Sequence, residues 1–439
     1  MMSHWVLYLS ASLCLIFNLV ASSPLPKTDE KGGNDSNDGQ HWVGIWTAMP
    51  QLVEPANLPP TPFNGLDSVF YNTTIRQTVQ VGLDSAKIRL RLSNAFGVNN
   101  LNISSVAVSH TMENEAGVST IQPGSTKEVR FSEQSSISIP SAGLAVSDPI
   151  EFSVQAQSIL LIDIFLEKGQ DGFAITGHPG SRTTSFISFD DHVGEKDLKT
   201  NGDAVQSIEH WYFISAVEGF LNSETRSFAI VGDSITDGRG STTNKNNRWP
   251  DLVQKKINQD EKIPKIGILN QAAGGNRILH DGLGPNAVSR IDRDVLAQSG
   301  VQFAMIFEGV NDIGVAESDP KSQAEIGDQI IIALRQIATR VRTAGISFGA
   351  ATISPFGTPP DSNYTQPYSS VEREVTRQRV NNFIRNDGVF DFVLDFDRVL
   401  RDPQDQSVLL NEFDSGDHLH PNVAGYQAIA DYFPLDLFL

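Results

Sequence analysis

The stretch Phe228-Ala229-Ile230-Val231-Gly232-Asp233-Ser234-Ile235-Thr236-Asp237-Gly238 decides how this chain is read. An apolar, strand-like run ends in Gly-Asp-Ser, which reads as a tight turn at the carboxyl end of the strand. A serine placed there is exposed and aimed by its backbone. It becomes a nucleophile when a histidine arrives to take its proton. Such a histidine stands near the other end of the chain, in Asp417-His418-Leu419-His420-Pro421. An acid and a histidine three residues apart on one loop supply the orienter and the base of a triad.

Outward from that stretch the chain becomes a βαβ series. From residue 226 onward, apolar runs at Phe228–Val231, Ile266–Leu269, Phe303–Phe307, Ile346–Ile353 and Phe390–Leu394 alternate with helix-length segments. The segments are Pro250–Ile257, Ala287–Ala297, Ala324–Thr343 and Val371–Ile384, with a last helix at Asn422–Tyr432. This alternation predicts a parallel sheet covered by helices on both faces. Such sheets bind ligands beyond the carboxyl ends of their strands.

Four strings fall at those ends. They are Gly232-Asp233-Ser234, then Asn270-Gln271-Ala272-Ala273-Gly274-Gly275-Asn276, then Gly309-Val310-Asn311-Asp312, and finally Asp417-x-x-His420 before the last helix. Acyl transfer needs this set. The hydroxyl of Ser234 needs a base, which His420 supplies, and the imidazole needs an anchor, which Asp417 supplies. A tetrahedral intermediate needs preorganised donors, and the amides of Ser234 and Gly275 and the side chain of Asn311 are candidates. Loss of one such donor costs about 3 kcal/mol in the barrier.

Residues 41–222 have another texture. Thr74–Val81 and Lys87–Leu92 alternate, Ile103–Val108, Ile150–Val154 and Ile159–Phe165 are further strand candidates, and Gly, Pro, Asn and Asp punctuate them. Short strands at short intervals predict an antiparallel, jelly-roll-like β sandwich. Two domains result, at 41–222 and 226–439, as a chain of 439 residues leads one to expect.

Composition narrows the function. Hydrophobic residues make up 39% and charged residues 19%, which describes a globular chain. The net charge of −19 argues against nucleic acid and anionic membrane surfaces as partners. Residues 1–22 read as a secretory signal, with Val6–Val20 almost wholly apolar and small residues at Ala21, Ser22 and Ser23, and cleavage is expected after Ser22. The run is short for a membrane span, and a signal anchor is the alternative reading. Residues 23–40 are polar and read as a disordered leader. The single cysteine, Cys14, lies in the signal, so the mature chain is expected to carry no disulfide and no cysteine metal site. Sequons at Asn34, Asn72, Asn102 and Asn363 fit a secreted glycoprotein.

The four strings, in this order, resemble the blocks of the SGNH/GDSL hydrolase superfamily, over about residues 226–439. The resemblance implies a flavodoxin-like three-layer α/β/α domain and ester hydrolysis without metal or other cofactor. It implies Ser234 as nucleophile and oxyanion donor, Gly275 and Asn311 as further donors, His420 as base and Asp417 as its partner. Gly274 competes with Gly275, and the alignment of Asn270 with the leading Asn of its block favours Gly275. The first block reads Gly-Asp-Ser-Ile here instead of Gly-Asp-Ser-Leu. The whole chain, with its β domain, is also similar to secreted two-domain GDSL-like lipase/acylhydrolase proteins of fungi and actinobacteria, to which Asn247-Arg248-Trp249-Pro250 and Asp281-Gly282-Leu283-Gly284-Pro285 contribute.

Other readings compete. Gly345-Ile346-Ser347-Phe348-Gly349 matches a nucleophile-elbow pattern, but that pattern needs a strand before the serine and a helix after it, and here the order is reversed. Ser347 is therefore expected to be buried at the amino end of the fourth strand. His418 reads as a loop-packing residue, and Asp233 as a turn residue that satisfies local amides. His178, in Gly177-His178-Pro179-Gly180-Ser181, reads as structural. The expected function is a secreted serine esterase acting on short-chain or carbohydrate O-acyl esters, with small-molecule or polysaccharide esters as partners, no nucleic acid and no stable membrane anchor. The alternatives are a lipase or lysophospholipase and an inactive glycan-binding protein. The loop Gly357–Tyr368 is a candidate lid, but it is polar.

Overall fold

The computed structural model describes residues 39–65, 68–199 and 205–439. The expected signal at 1–22, nearly all of the leader at 23–40, and Asn34 lie outside them.

Antiparallel pairing organises the first half. Its main strands are β1 (Gln40–Thr47), β2 (Thr73–Gln80), β3 (Ser85–Ser93), β4 (Ser105–His110), β5 (Leu144–Val146), β6 (Ile150–Val154), β7 (Ile159–Leu166), β8 (Thr176–His178), β9 (Ser185–Phe189) and β10 (Ile214–Asn222). One sheet runs β1-β10-β3-β5, with β6 also on β3; the other contains β9-β2-β7-β4 in that order. Inward residues of both sheets, among them Ile75, Val79, Ile88, Leu90, Leu160, Ile162 and Val217, form one core. The period-2 alternation read in β3 is the exposure pattern expected of a strand with one buried face. The antiparallel sandwich is thus present, with every strand candidate named above in a strand or, for Ile103–Val108, split across two short ones at Leu101–Ile103 and Ser105–His110.

The second half is a parallel sheet of β11 (Arg226–Gly232), β12 (Ile266–Ala272), β13 (Val301–Phe307), β14 (Ser347–Ala351) and β15 (Phe392–Leu394). Its spatial order is β12-β11-β13-β14-β15, which is the flavodoxin-like order 2-1-3-4-5. The helices are α1 (Ser234–Asp237), α2 (Trp249–Gln259), α3 (Ala287–Ile291), α4 (Val310–Val315), α5 (Pro320–Thr343), α6 (Val371–Asn386), α7 (Phe396–Leu400) and α8 (Val423–Tyr432). The strands read as unbroken apolar runs because both faces are covered: Phe228, Ala229, Ile230 and Val231 are all fully buried. Trp249 seats its ring against Phe396, centroids 5.4 Å apart, and its burial is worth roughly 2–3 kcal/mol.

The two halves meet along a seam. Gly44 N–H of β1 donates to Ser299 O (2.9 Å), and Ser227 Oγ donates to Gly44 O (3.0 Å). A Cβ on Gly267 of β12 would overlap Gly44 O, so backbone approaches backbone here in a way only glycine allows.

Candidate active site

In a sheet of order 2-1-3-4-5 the chain reverses direction between the first and third strands, and their carboxyl ends open a crevice there. Ser234 follows β11 at that point. Asp233 caps the single-turn helix α1, its Oδ1 accepting from Ile235 N–H at 3.0 Å, an arrangement worth about 1 kcal/mol. Gly238 closes the turn in the left-handed region (φ 95°), where its N–H donates to Ser234 O at 2.9 Å. The serine is thereby locked between two caps. Asp233 is the turn residue its position predicted.

Ser234 Oγ lies 2.7 Å from His420 Nε2, across 186 residues of chain. His420 Nδ1 lies 2.7 Å from Asp417 Oδ2, and Asp417 Oδ1 accepts from the amides of His420 (2.9 Å) and Leu419 (3.1 Å). A carboxylate accepts only, so Nδ1 carries the proton and Nε2 is left to accept from the serine. Burial pushes the His420 imidazole below its ordinary value; Asp417 opposes this, while the charges of Arg239 and Arg182 add to it. Burial would raise Asp417, but the hydrogen bond and charge of His420 and the two amides overcome it and hold the carboxyl far below the usual range.

The two other expected donors, Gly275 and Asn311, lie on the loop after β12 and at the start of α4. Gly275 sits at φ +72°, and a Cβ there would collide with Leu283, so both backbone and space require glycine. Gly309, at φ 120°, is the N-cap of α4, whose second residue is Asn311. Asn311 Nδ2 donates one proton to Asn276 O (2.9 Å), and its Oδ1 accepts from Tyr368 Oη–H (3.2 Å), which fixes the amide and leaves the second N–H free. Among the described residues, the amides of Ser234 and Gly275 have no acceptor. Asp312 holds the loop beyond Gly275 by accepting from the amides of Ile278 (2.8 Å) and Leu279 (3.0 Å).

Several residues at the site left no local signal in the sequence. Arg290, fully buried, ties together Gly232 O, Gln271 O and Asn276 Oδ1 and pairs with Asp294 and Glu308. Burial raises the carboxyl of Glu308 to about 7 and that of Asp312 to about 6, and it pushes Asp233 well up beside Glu308, Asp312 and Asp237. The loop 357–369 is fastened to both sides of the site: Tyr368 to Asn311, and Gln366 Nε2 to Asp417 O (2.6 Å). His418 is a loop-packing residue, held between Asp414 Oδ2 (2.5 Å) and Ser362 Oγ (2.6 Å). Arg248 and Trp249 cap and pack α2, as Arg248 N–H and Nε reach Asp251 Oδ2 and Trp249 is fully buried. Ser347 does stand at the amino end of β14, but it is half-exposed instead of buried, because the strand begins with it. Among the described residues, no group of three or more His, Cys, Asp or Glu side chains is arranged to hold a metal ion.

Ser234, His420 and Asp417 thus form one hydrogen-bonded chain beyond the carboxyl ends of a sheet of flavodoxin-like order. Residues 228–433 match the family described as GDSL-like Lipase/Acylhydrolase, which supports an SGNH/GDSL hydrolase domain over that part of the chain. Among solved structures, it is similar to a catalytic mutant of the acetylxylan esterase Axe2 from Geobacillus stearothermophilus, at 18% identity and a TM-score of 0.36, over 47% of this chain and 92% of that one. It is also similar to the psychrotrophic esterase EstA from Pseudoalteromonas sp. (18% identity, TM-score 0.31, 47% of this chain and 93% of that one). A GDSL-like lipase from Bacteroides thetaiotaomicron VPI-5482 matches at 14% identity and a TM-score of 0.32, over 47% of this chain and 85% of that one. No curated protein matches the chain.

Proposed function

We propose that this chain is a secreted serine esterase that works through an acyl-enzyme on Ser234. The observation that carries the reading is the unbroken hydrogen-bonded chain from Ser234 Oγ through His420 to Asp417. As Ser234 Oγ bonds to the ester carbonyl carbon, His420 Nε2 takes its proton, and the carbonyl oxygen becomes an oxyanion. The amides of Ser234 and Gly275 and the free N–H of Asn311 receive that charge. The carbon–oxygen bond to the alcohol then breaks as Nε2–H protonates the leaving oxygen. Water repeats the sequence on the acyl-enzyme, its proton going to His420 and then back to Ser234, and the acid is released.

Short-chain or carbohydrate O-acyl esters fit best. A lipid-active site calls for an apolar, amphipathic lid, whereas the loop over this site, 357–369, is polar and pinned down by Gln366 and Tyr368. Export is supported by the apolar run Val6–Val20 and the small residues after it; the mature chain recovered from the medium is expected to begin at Ser23. Of the sequons within the described residues, Asn102 and Asn363 are exposed, and Asn72 is half-buried with its Nδ2 on Asp190. Glycosylation is proposed first at Asn102 and Asn363, read as a mass loss after enzymatic deglycosylation.

The test is hydrolysis of p-nitrophenyl acetate by the wild type and by Ser234→Ala. Turnover by the wild type, lost in the variant, is expected. Equal inertness of the two, with retention on polysaccharide, would make the chain a binding protein. A series of acyl lengths beside acetylated xylan, pectin and a lysophospholipid then fixes the substrate.

A further inference from the structure

The β sandwich reaches into the site just described. Strand β8 runs between Gln51–Leu52 and Trp211–Tyr212, and its last residue is His178. The imidazole lies along the ring of Trp211, centroids 5.7 Å apart. Its Nδ1 faces Met49 O at 3.0 Å, and its Nε2 faces Asp237 Oδ1 at 2.9 Å. Asp237 is the last residue of α1, the helix that begins with Ser234. Both side chains are almost fully buried, 4% and 2% exposed.

The donors can be counted. A carbonyl oxygen only accepts, so Nδ1 must carry a proton for Met49. The contact from Nε2 to the carboxylate needs another proton between them. That proton belongs to an imidazolium or to a carboxylic acid, and in either form the pair has zero net charge. Asp237 Oδ2 has no partner among the described residues. It is crowded against Gly180, where a Cβ would overlap it, and it lies 3.8 Å from where a Cβ of Gly274 would stand, next to the donor Gly275. A bare carboxylate at that place would oppose an oxyanion forming beside Gly275, and in a buried site little solvent screens the repulsion.

We propose that His178, from the β sandwich, is a positioning residue of the hydrolytic site: by sharing a proton with Asp237 it fixes the end of the nucleophile helix and keeps that carboxylate neutralised. The inference rests on the esterase reading of Ser234. It gives the sandwich a part in the chemistry, since the isolated α/β half would expose Asp237 without its partner.

The test uses the full chain with p-nitrophenyl acetate. His178→Gln keeps a hydrogen-bond donor but cannot supply the proton, and it is expected to lower kcat roughly ten- to a hundredfold while KM changes less than about twofold. Adding Asp237→Asn removes the stranded charge, so the double variant is expected to recover most of that loss. A purely structural contact gives no such rescue. Wild-type kcat in His178→Gln, or a double variant no faster than the single one, overturns the proposal. If His178→Gln fails to fold, nitrogen-resolved NMR of the wild-type imidazole decides: a proton on the Nε2–Asp237 bond at about pH 7 is expected, and its absence overturns the proposal. A wild type that shows this proton but hydrolyses no ester defeats the esterase reading and not the pair.

Discussion

At the scale of single residues, the protonation of His420 controls the proposed reaction. Burial, helped by Arg239 and Arg182, lowers its affinity for a proton despite Asp417. The base works only when neutral, so kcat/KM rises with pH and its acidic limb is expected to have a midpoint below the ordinary ~6.5 of histidine. A pH–rate profile with a limb above that value would contradict the environment described. Asn311 gives a second prediction. Its Nδ2 gives one proton to Asn276 O and is proposed to give the other to the oxyanion, so Asn311→Ala is expected to lower kcat about 10²–10³-fold with KM little changed. Tyr368→Phe removes only the bond that orients the amide, and a smaller loss, about tenfold or less, is expected in the same assay.

At the scale of elements, the loop 357–369 behaves as a strap. Gln366 grips the carbonyl of Asp417, Ser362 meets His418, and Tyr368 reaches Asn311, so one segment fixes the Asp417–His420 loop and the Asn311 side chain together. Gln366→Ala is expected to lower kcat while the melting temperature shifts by only a few degrees, because a single side chain–backbone bond contributes about 1 kcal/mol to stability. The opposite edge of the sheet gives a control. Ser347 begins β14, at the end of the strands away from the site. Ser347→Ala is expected to keep wild-type turnover, and a folded but inactive variant would move the nucleophile there.

At the scale of the molecule, buried carboxyl groups couple folding to pH. Glu308 ordinarily titrates near 4.5 and is raised to about 7 in the folded chain, chiefly by burial and against the pull of Arg290. The folded state therefore holds this proton more tightly than the unfolded one. The resulting stabilisation is complete below about 4.5 and is lost as pH rises through about 7. Glu308→Gln removes the titration. The melting temperature of Glu308→Gln minus that of the wild type is accordingly expected to increase between pH 5 and 8, and a flat difference across that range would show that Glu308 is ionised throughout.

Periodicity and position carried the local part of the argument. Apolar runs buried on both faces read as parallel strands, alternating runs read as a sandwich with one wet face, and helix ends fell within a few residues of Pro320, Ser370 and Asn422, because local pattern and capping chemistry are written in neighbouring residues. Ser234, Gly275 and Asn311 each stand in a short string after the carboxyl end of a strand, and Asp417 and His420 in one just before the last helix, so all five could be proposed from local sequence. Tertiary structure alone decided the 2.7 Å approach of Ser234 to His420, the grip of Tyr368 on Asn311, the buried crossing of Arg290, and the pairing of His178 with an acid on the nucleophile helix. These contacts join residues that are neighbours only after the chain has closed, and burial, which sets their charge states, is a property of the packed molecule and not of any string within it.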